Sequence, residues 1–289
     1  MHNDFCSTFL LLGCDFISIF KFNCGEPVKD IKKGHKSNRV KLFFEIFTRK
    51  FTHLVKLNFL FAVPAFASML VCLWISKLMG HTSLFVFFLP ILLLSPFVPG
   101  LAFVSRNYSR EEHAFIWGDF WEAVKNNLLQ STINGIISYL LFISIIIAVL
   151  FVARSDSAGI IRSLALPLYF YILITFVFMQ FYVPIMMVTF DLPLGKIYKN
   201  AFIFSIVGIK NNLVAVSGVS LVCAIFFALD FLLSCTALSL IILSMLLSTI
   251  AFSLTSFIIT FSVYPIIEKY MMKERPSENN FSESVFKDI

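Results

Sequence analysis

The densest group of reactive side chains in this chain lies in "EEHAFIWGDFWEAVKNNLLQ", residues 111–130. Glu111, Glu112, His113, Asp119 and Glu122 place four carboxylates and an imidazole within a few helical turns. Such groups build divalent-metal sites and acid–base pairs. The spacing argues against both. On a helix Glu112 and Glu122 point to different faces, and no His-x3-His or Glu-x2-His pair supplies two facing ligands. His53 and His81 stand alone. No nucleophile–base pair, P-loop or dinucleotide fingerprint occurs elsewhere. The six cysteines (Cys6, Cys14, Cys24, Cys72, Cys223 and Cys235) include no CxxC pair and read as free thiols. The expectation is a protein without metal or cofactor, and not an enzyme.

The elements that must carry these residues are set by composition. Of 289 residues 58% are hydrophobic and 14% charged, and the mean hydropathy is +0.87. Soluble domains carry roughly 25% charged residues, so this is an integral membrane protein. A bilayer core about 30 Å thick needs about 20 apolar residues per helix. Six such runs lie near 57–76, 82–104, 128–152, 164–189, 212–233 and 237–264. The expected fold is all-α: six transmembrane helices in three hairpins, each hairpin preceded by an amphipathic surface helix. Prolines 64, 90, 96, 99, 167, 184 and 265 predict kinks or ends.

Charge sets the orientation. Twenty of the 23 Lys and Arg residues fall in residues 1–56, the 105–127 and 190–211 loops and the C-terminal residues from Lys269 onward; Lys77, Arg154 and Arg162 fall on the other side. Basic segments stay in the cytoplasm, so both termini and residues 111–130 are expected there. Residues 1–41 read as a basic cytoplasmic leader attracted to anionic lipid, 42–272 as the membrane domain and 273–289 as a polar tail. The leader lacks an accompanying folded domain, so nucleic acid is not an expected partner; the lipid bilayer is. "TFLLLGCDF" imitates a lipoprotein cleavage box at Cys14, but "MHND" supplies no basic n-region. Whether residues 1–16 belong to the mature protein is left open.

An internal echo organises the chain. "VKNNLL" at 124–129 recurs as "IKNNLV" at 209–214 and, less closely, as "VKLNFL" at 55–60, each opening a hydrophobic run. The reading is a threefold repeat over 42–104, 114–189 and 194–264. In the second unit Trp117, Phe120, Trp121, Val124 and Leu128 share one helical face, with Asp119, Glu122 and Asn126 on another. This is the pattern of an interfacial helix anchored by tryptophan. Ser109 and Glu112 have capping-box spacing. In the first unit Phe44, Phe47, Phe51, Leu54 and Asn58 form the corresponding face.

The sequences "FFEIFTRKFTHLVKLNFL" and "RNYSREEHAFIWGDFWEAVKNN" resemble the YesL-like family of bacterial membrane proteins over roughly residues 17–272. This chain has Gly25-Glu26-Pro27 where family members usually carry Gly-Pro-Gly. The family's function is unknown. Its frequent association with carbohydrate ABC uptake and sensor genes implies a non-enzymatic accessory in the bacterial plasma membrane, partnered by an ABC permease or sensor.

For such docking the candidate surface is Arg106, Arg110, Glu111, Glu112, His113, Trp117, Asp119, Trp121 and Lys125. Arg106 and Arg110 could meet headgroup phosphates or a partner's carboxylates, or simply mark the positive-inside stop. A small transporter or channel is the alternative, with Asn134, Gln180 and Asp230 as candidate pathway residues. Asn134 and Gln180 are also ordinary interhelical hydrogen-bonding groups, and Asp230 lies close enough to a turn to escape to water. An enzyme acting on a lipid-linked substrate is a third reading, and the one that lacks a catalytic constellation.

Overall fold

Long apolar segments with few interior breakers become long helices. The computed structural model describes residues 39–81, 83–154, 159–232 and 247–272. Among these residues every element is helical: α1 (Arg39–Met79), α2 (Leu84–Leu94), a 3-10 turn (Ser95–Phe97), α3 (Val98–Ser109), α4 (Ile116–Arg154), α5 (Gly159–Met187), α6 (Leu194–Val207), α7 (Ile209–Leu232), a π-helical turn (Leu247–Ala251) and α8 (Phe252–Met271). Six helical stretches are long and apolar enough to cross a membrane. The leader, including the Cys14 box, and the 273–289 tail lie outside the described residues, apart from 39–41.

The structure revises the expected surface helices. In the first two hairpins the amphipathic segment and the span are one rod, α1 with 41 residues and α4 with 39. At 1.5 Å rise per residue each is about 60 Å long, roughly twice the bilayer core. No proline or glycine stands at either junction, and a change from polar to apolar side chains does not interrupt backbone hydrogen bonding. Only in the third hairpin is the surface segment separate, as α6, and there Gly208 marks the break. A Cβ at Gly208 would collide with the Tyr182 hydroxyl and the Phe204 carbonyl.

Of the prolines read as kinks or ends, two stand at helix ends and the others lie within helices. Pro64, Pro90, Pro167, Pro184 and Pro265 lie inside helices, whereas Pro96 and Pro99 open the 3-10 turn and α3. Proline fits a helix start because its missing N–H has no partner to lose there.

The helices α3, α5 and α8 touch one another at the centre. Around them α1 packs on α2 and α8, α4 on α5 and the α2–α3 segment, and α7 on α8. Two cores result. Ile46, Leu54 and Leu57 of α1 meet Leu101, Val104 and Tyr108 of α3, Phe120 and Val124 of α4, and Phe257 of α8. Tyr182 and Met186 of α5 meet Ile197 and Phe204 of α6 and Ile267 of α8.

This packing corrects the two amphipathic faces. Phe120 and Val124 are buried in the protein, where burial of each such side chain stabilises by about 1.5–3 kcal/mol. Trp121 is half-buried, and Trp117 (69% exposed) and Leu128 remain outside. In α1 the buried stripe is Ile46, Leu54, Leu57, Asn58 and Phe61, while Phe44 and Phe51 are exposed.

Candidate functional site

The short α3–α4 turn carries most of the candidate surface. Ser109 is the last residue of α3 and donates to Arg106 O at 2.7 Å, so it does not cap the following helix. Instead α3 closes with Glu112 N–H on Asn107 O (2.8 Å) and Glu111 N–H on Tyr108 O (3.1 Å), the paired bonds of a Schellman ending. Glu111 takes the left-handed position, φ 59°, where glycine is usual. Its carboxylate meets Arg49 of α1 at 2.9 Å, and Glu112 meets Arg110 at 2.8 Å.

The carboxylate that serves the start of α4 is Asp119. It accepts the Phe115 N–H at 2.9 Å and complements the helix dipole. The acid group expected from sequence is therefore divided among an interhelical pair, a local pair and a helix start. His113 is exposed with its ring 5.0 Å from that of Phe115, and Lys125 is exposed. Trp121 packs against Phe97 and Trp117.

Arg106 is the clearest correction to the surface reading, being only 8% exposed. Its Nη1 donates to Val188 O (2.6 Å) and Thr189 Oγ1 (3.2 Å), and Nε and Nη2 donate to Asn107 Oδ1. The guanidinium also lies 4.5 Å from the Phe103 ring centroid. It thus stands at the carbonyl end of α5, where the helix dipole is negative. Arg110 lies with its guanidinium 5.7 Å from the Tyr264 ring.

Beside this lock is a cleft of about 330 Å³. Asp119, Glu122, Asn126 and Asn127 of α4 form one side, and Thr189 and Asp191, just past α5, form another. Gln130 crosses the end to donate to Leu192 O at 3.3 Å. Asp191, Asn126, Asn127 and Gln130 were not among the sequence-derived candidates. Asn126 and Asn127 belong to the repeated "KNN" motif, a signal that could have pointed to them; nothing in the sequence places Asp191 beside Glu122. A second cavity, about 490 Å³ between α4 and α5, is bordered by Ile145, Val149, Pro167 and Phe170 among other largely apolar residues.

The pathway candidates separate. Asn134 Nδ2 donates to Gln180 Oε1 at 3.1 Å, and the Tyr198 hydroxyl of α6 donates to Asn134 Oδ1 at 2.5 Å. Burial pushes the Tyr198 phenol above its ordinary range and keeps it a neutral donor. Neither Asn134 nor Gln180 lines either cavity. Asp230 lies near the end of α7, and its side chain is outside the described set.

These features define a multi-pass helical membrane protein with six helical stretches long and apolar enough to span a bilayer. Residues 54–151, from within α1 to the last turn of α4, match the model of a family described as "Protein of unknown function, DUF624". No curated protein and no solved structure matches the chain.

Proposed function

We infer that the chain is a non-enzymatic accessory subunit that docks a partner through its basic end. The observation that carries this reading is the length of α1 and α4, 41 and 39 residues, about twice what a bilayer core requires. Near their N-terminal ends Phe44, Phe115 and Trp117 are exposed close in sequence to Arg49, Glu112 and Lys125. Exposed aromatic groups interleaved with charge favour an interface over free solvent.

The YesL-like resemblance, consistent with the match over 54–151, directs the choice of partner to a carbohydrate ABC permease or its sensor. The positive-inside pattern supports a bacterial plasma-membrane location with both termini in the cytoplasm. The ordered packing of α1, α4 and α7 around α3, α5 and α8 supports three successive units.

The test is affinity purification of the intact chain from its native membranes, followed by identification of bound proteins. Recovery of a permease or sensor in stoichiometric amount is expected. A clean homo-oligomer would sink the accessory reading. It would favour transport, for which the Asn134–Gln180–Tyr198 network is the supporting observation. Proteoliposome uptake reduced by Gln180→Ala would then be expected.

A further inference from the structure

Independently of the accessory reading, we propose that the junction between α1 and the α3–α4 turn binds the phosphate of an anionic membrane lipid. Lys50, His53 and Lys56 of α1 gather there with His113 of the turn. The His53 ring feels Lys50 and Lys56 along its own helix and His113 across from it. Tyr108 of α3 is the floor of the site. Lys50 Nζ stands 5.5 Å from the centre of its ring, and the His53 ring is 6.2 Å away.

The site holds donors and positive charge without matching acceptors. Among the described residues neither Lys50 nor Lys56 has a carboxylate partner. The acids at its edge are already engaged, Glu111 with Arg49 and Asp119 with the Phe115 N–H. Tyr108 is 1% exposed, and its hydroxyl is enclosed with no hydrogen-bond partner among the described residues. A ligand rich in acceptors and negative charge complements these groups, and phosphate oxygens supply both.

Position selects the source of the phosphate. Lys56 immediately precedes the apolar run that begins near residue 57. Lys50 comes one and a half turns earlier, about 9 Å along the helix. A headgroup layer is about 5–8 Å deep on each side of the bilayer core, so the site spans that layer. Phe115 is 72% exposed, with its ring 5.0 Å from that of His113, and Phe59, one turn beyond Lys56, is also exposed. Exposed aromatic groups beside cations suit a surface that meets acyl chains and headgroups together. A free phosphate ion has no use for them. The general attraction of a basic chain to anionic lipid chooses no particular residue; the convergence of α1 and the turn over Tyr108 does.

The experiment uses the full chain in phosphatidylcholine nanodiscs that contain a small fraction of brominated phosphatidylglycerol, with brominated phosphatidylcholine as the neutral control. Trp117, exposed and four residues beyond His113, reports nearby bromine through loss of its fluorescence. Phosphatidylglycerol should be enriched beside it roughly tenfold over phosphatidylcholine. Lys50→Gln with Lys56→Gln should bring that ratio close to one without changing helical circular dichroism. Lys196→Gln with Lys199→Gln removes the same charge from exposed positions of α6 and should leave the ratio unchanged.

Equal quenching by the two lipids in wild type overturns the proposal. So does an equal loss in the α6 variant, which would assign the preference to the net charge of this end. Relief of quenching at matched ionic strength by inorganic phosphate, or by a glutamate–serine peptide, would make a free anion or an acidic partner segment the ligand, and also overturns it. Copurification of a partner protein is decided separately from all of these outcomes.

Discussion

Asn58 Oδ1 accepts the backbone N–H of Ser253 at 2.9 Å, joining residues 195 positions apart with both side chains fully buried. Ser253 stands just after the π-helical turn Leu247–Ala251, where the hydrogen-bond register changes and an amide needs an acceptor. Asn58→Leu should therefore cost about 1–3 kcal/mol, the penalty of leaving a buried N–H unpaired. Thermal unfolding in a fixed detergent should show the loss. An unchanged midpoint would mean that Ser253 N–H finds another acceptor.

Gly208 should resist even the smallest side chain. Gly208→Ala places its methyl against the Tyr182 hydroxyl, which itself donates to Asn212 Oδ1 at 2.7 Å. The substitution should destabilise by about 1–3 kcal/mol. In a double-mutant cycle Tyr182→Phe should recover part of that loss, giving a coupling of at least ~0.5 kcal/mol. Strict additivity would refute the contact as its cause.

At Glu111 two small effects oppose. A left-handed non-glycine residue costs about 1–2 kcal/mol, whereas an exposed ion pair such as Arg49–Glu111, with side chains 48% and 47% exposed, contributes about 0–1 kcal/mol. Backbone strain is the larger effect. Glu111→Gly should be neutral or stabilising by up to ~1 kcal/mol, and Glu111→Ala should be less stable than wild type. If glycine proves worse than alanine in the unfolding midpoint, the assignment of strain to this φ is wrong.

Arg106 should be intolerant of its nearest relative. Arg106→Lys retains charge but cannot reproduce the fork that reaches Val188 O, Thr189 Oγ1 and Asn107 Oδ1 together. Both Arg106→Lys and Arg106→Ala should cost about 2–4 kcal/mol, given roughly 1.5–3 kcal/mol for a hydrogen bond to a charged group. Monodispersity after detergent extraction and the thermal midpoint would report it. Wild-type behaviour of the lysine variant would reduce Arg106 to a charge marker.

The six membrane helices were legible because a run of about 20 apolar residues has few alternatives in a folded chain. The continuity of α1 and α4 was less legible, since amphipathic and apolar segments differ in what surrounds them and not in backbone conformation. Ser109 and Glu112 have the right spacing for a capping box, but Glu111 reverses the chain between them and spacing cannot register that sign of φ. Arg106 reads as a surface charge until α5 brings Val188 O within 2.6 Å, from 82 residues away. Asn134 and Gln180 read from sequence as interhelical hydrogen-bonding groups, and what the sequence leaves out is the choice of partner, which depends on the pairing of α4 with α5 and of both with Tyr198.

The unequal junctions have a mechanical consequence. A stiff rod of about 60 Å works as a lever: tilting it by ~10° about the bilayer midplane carries its protruding end sideways by about 5 Å, within the range that changes in membrane thickness impose on helix tilt. α1 and α4 can transmit such a swing from lipid to the aqueous boundary. At Gly208 the chain has a joint, so α6 can stay seated on α5 while α7 leans. Two of the three hairpins thus carry a change of tilt along an unbroken helix, and the third interrupts it at Gly208.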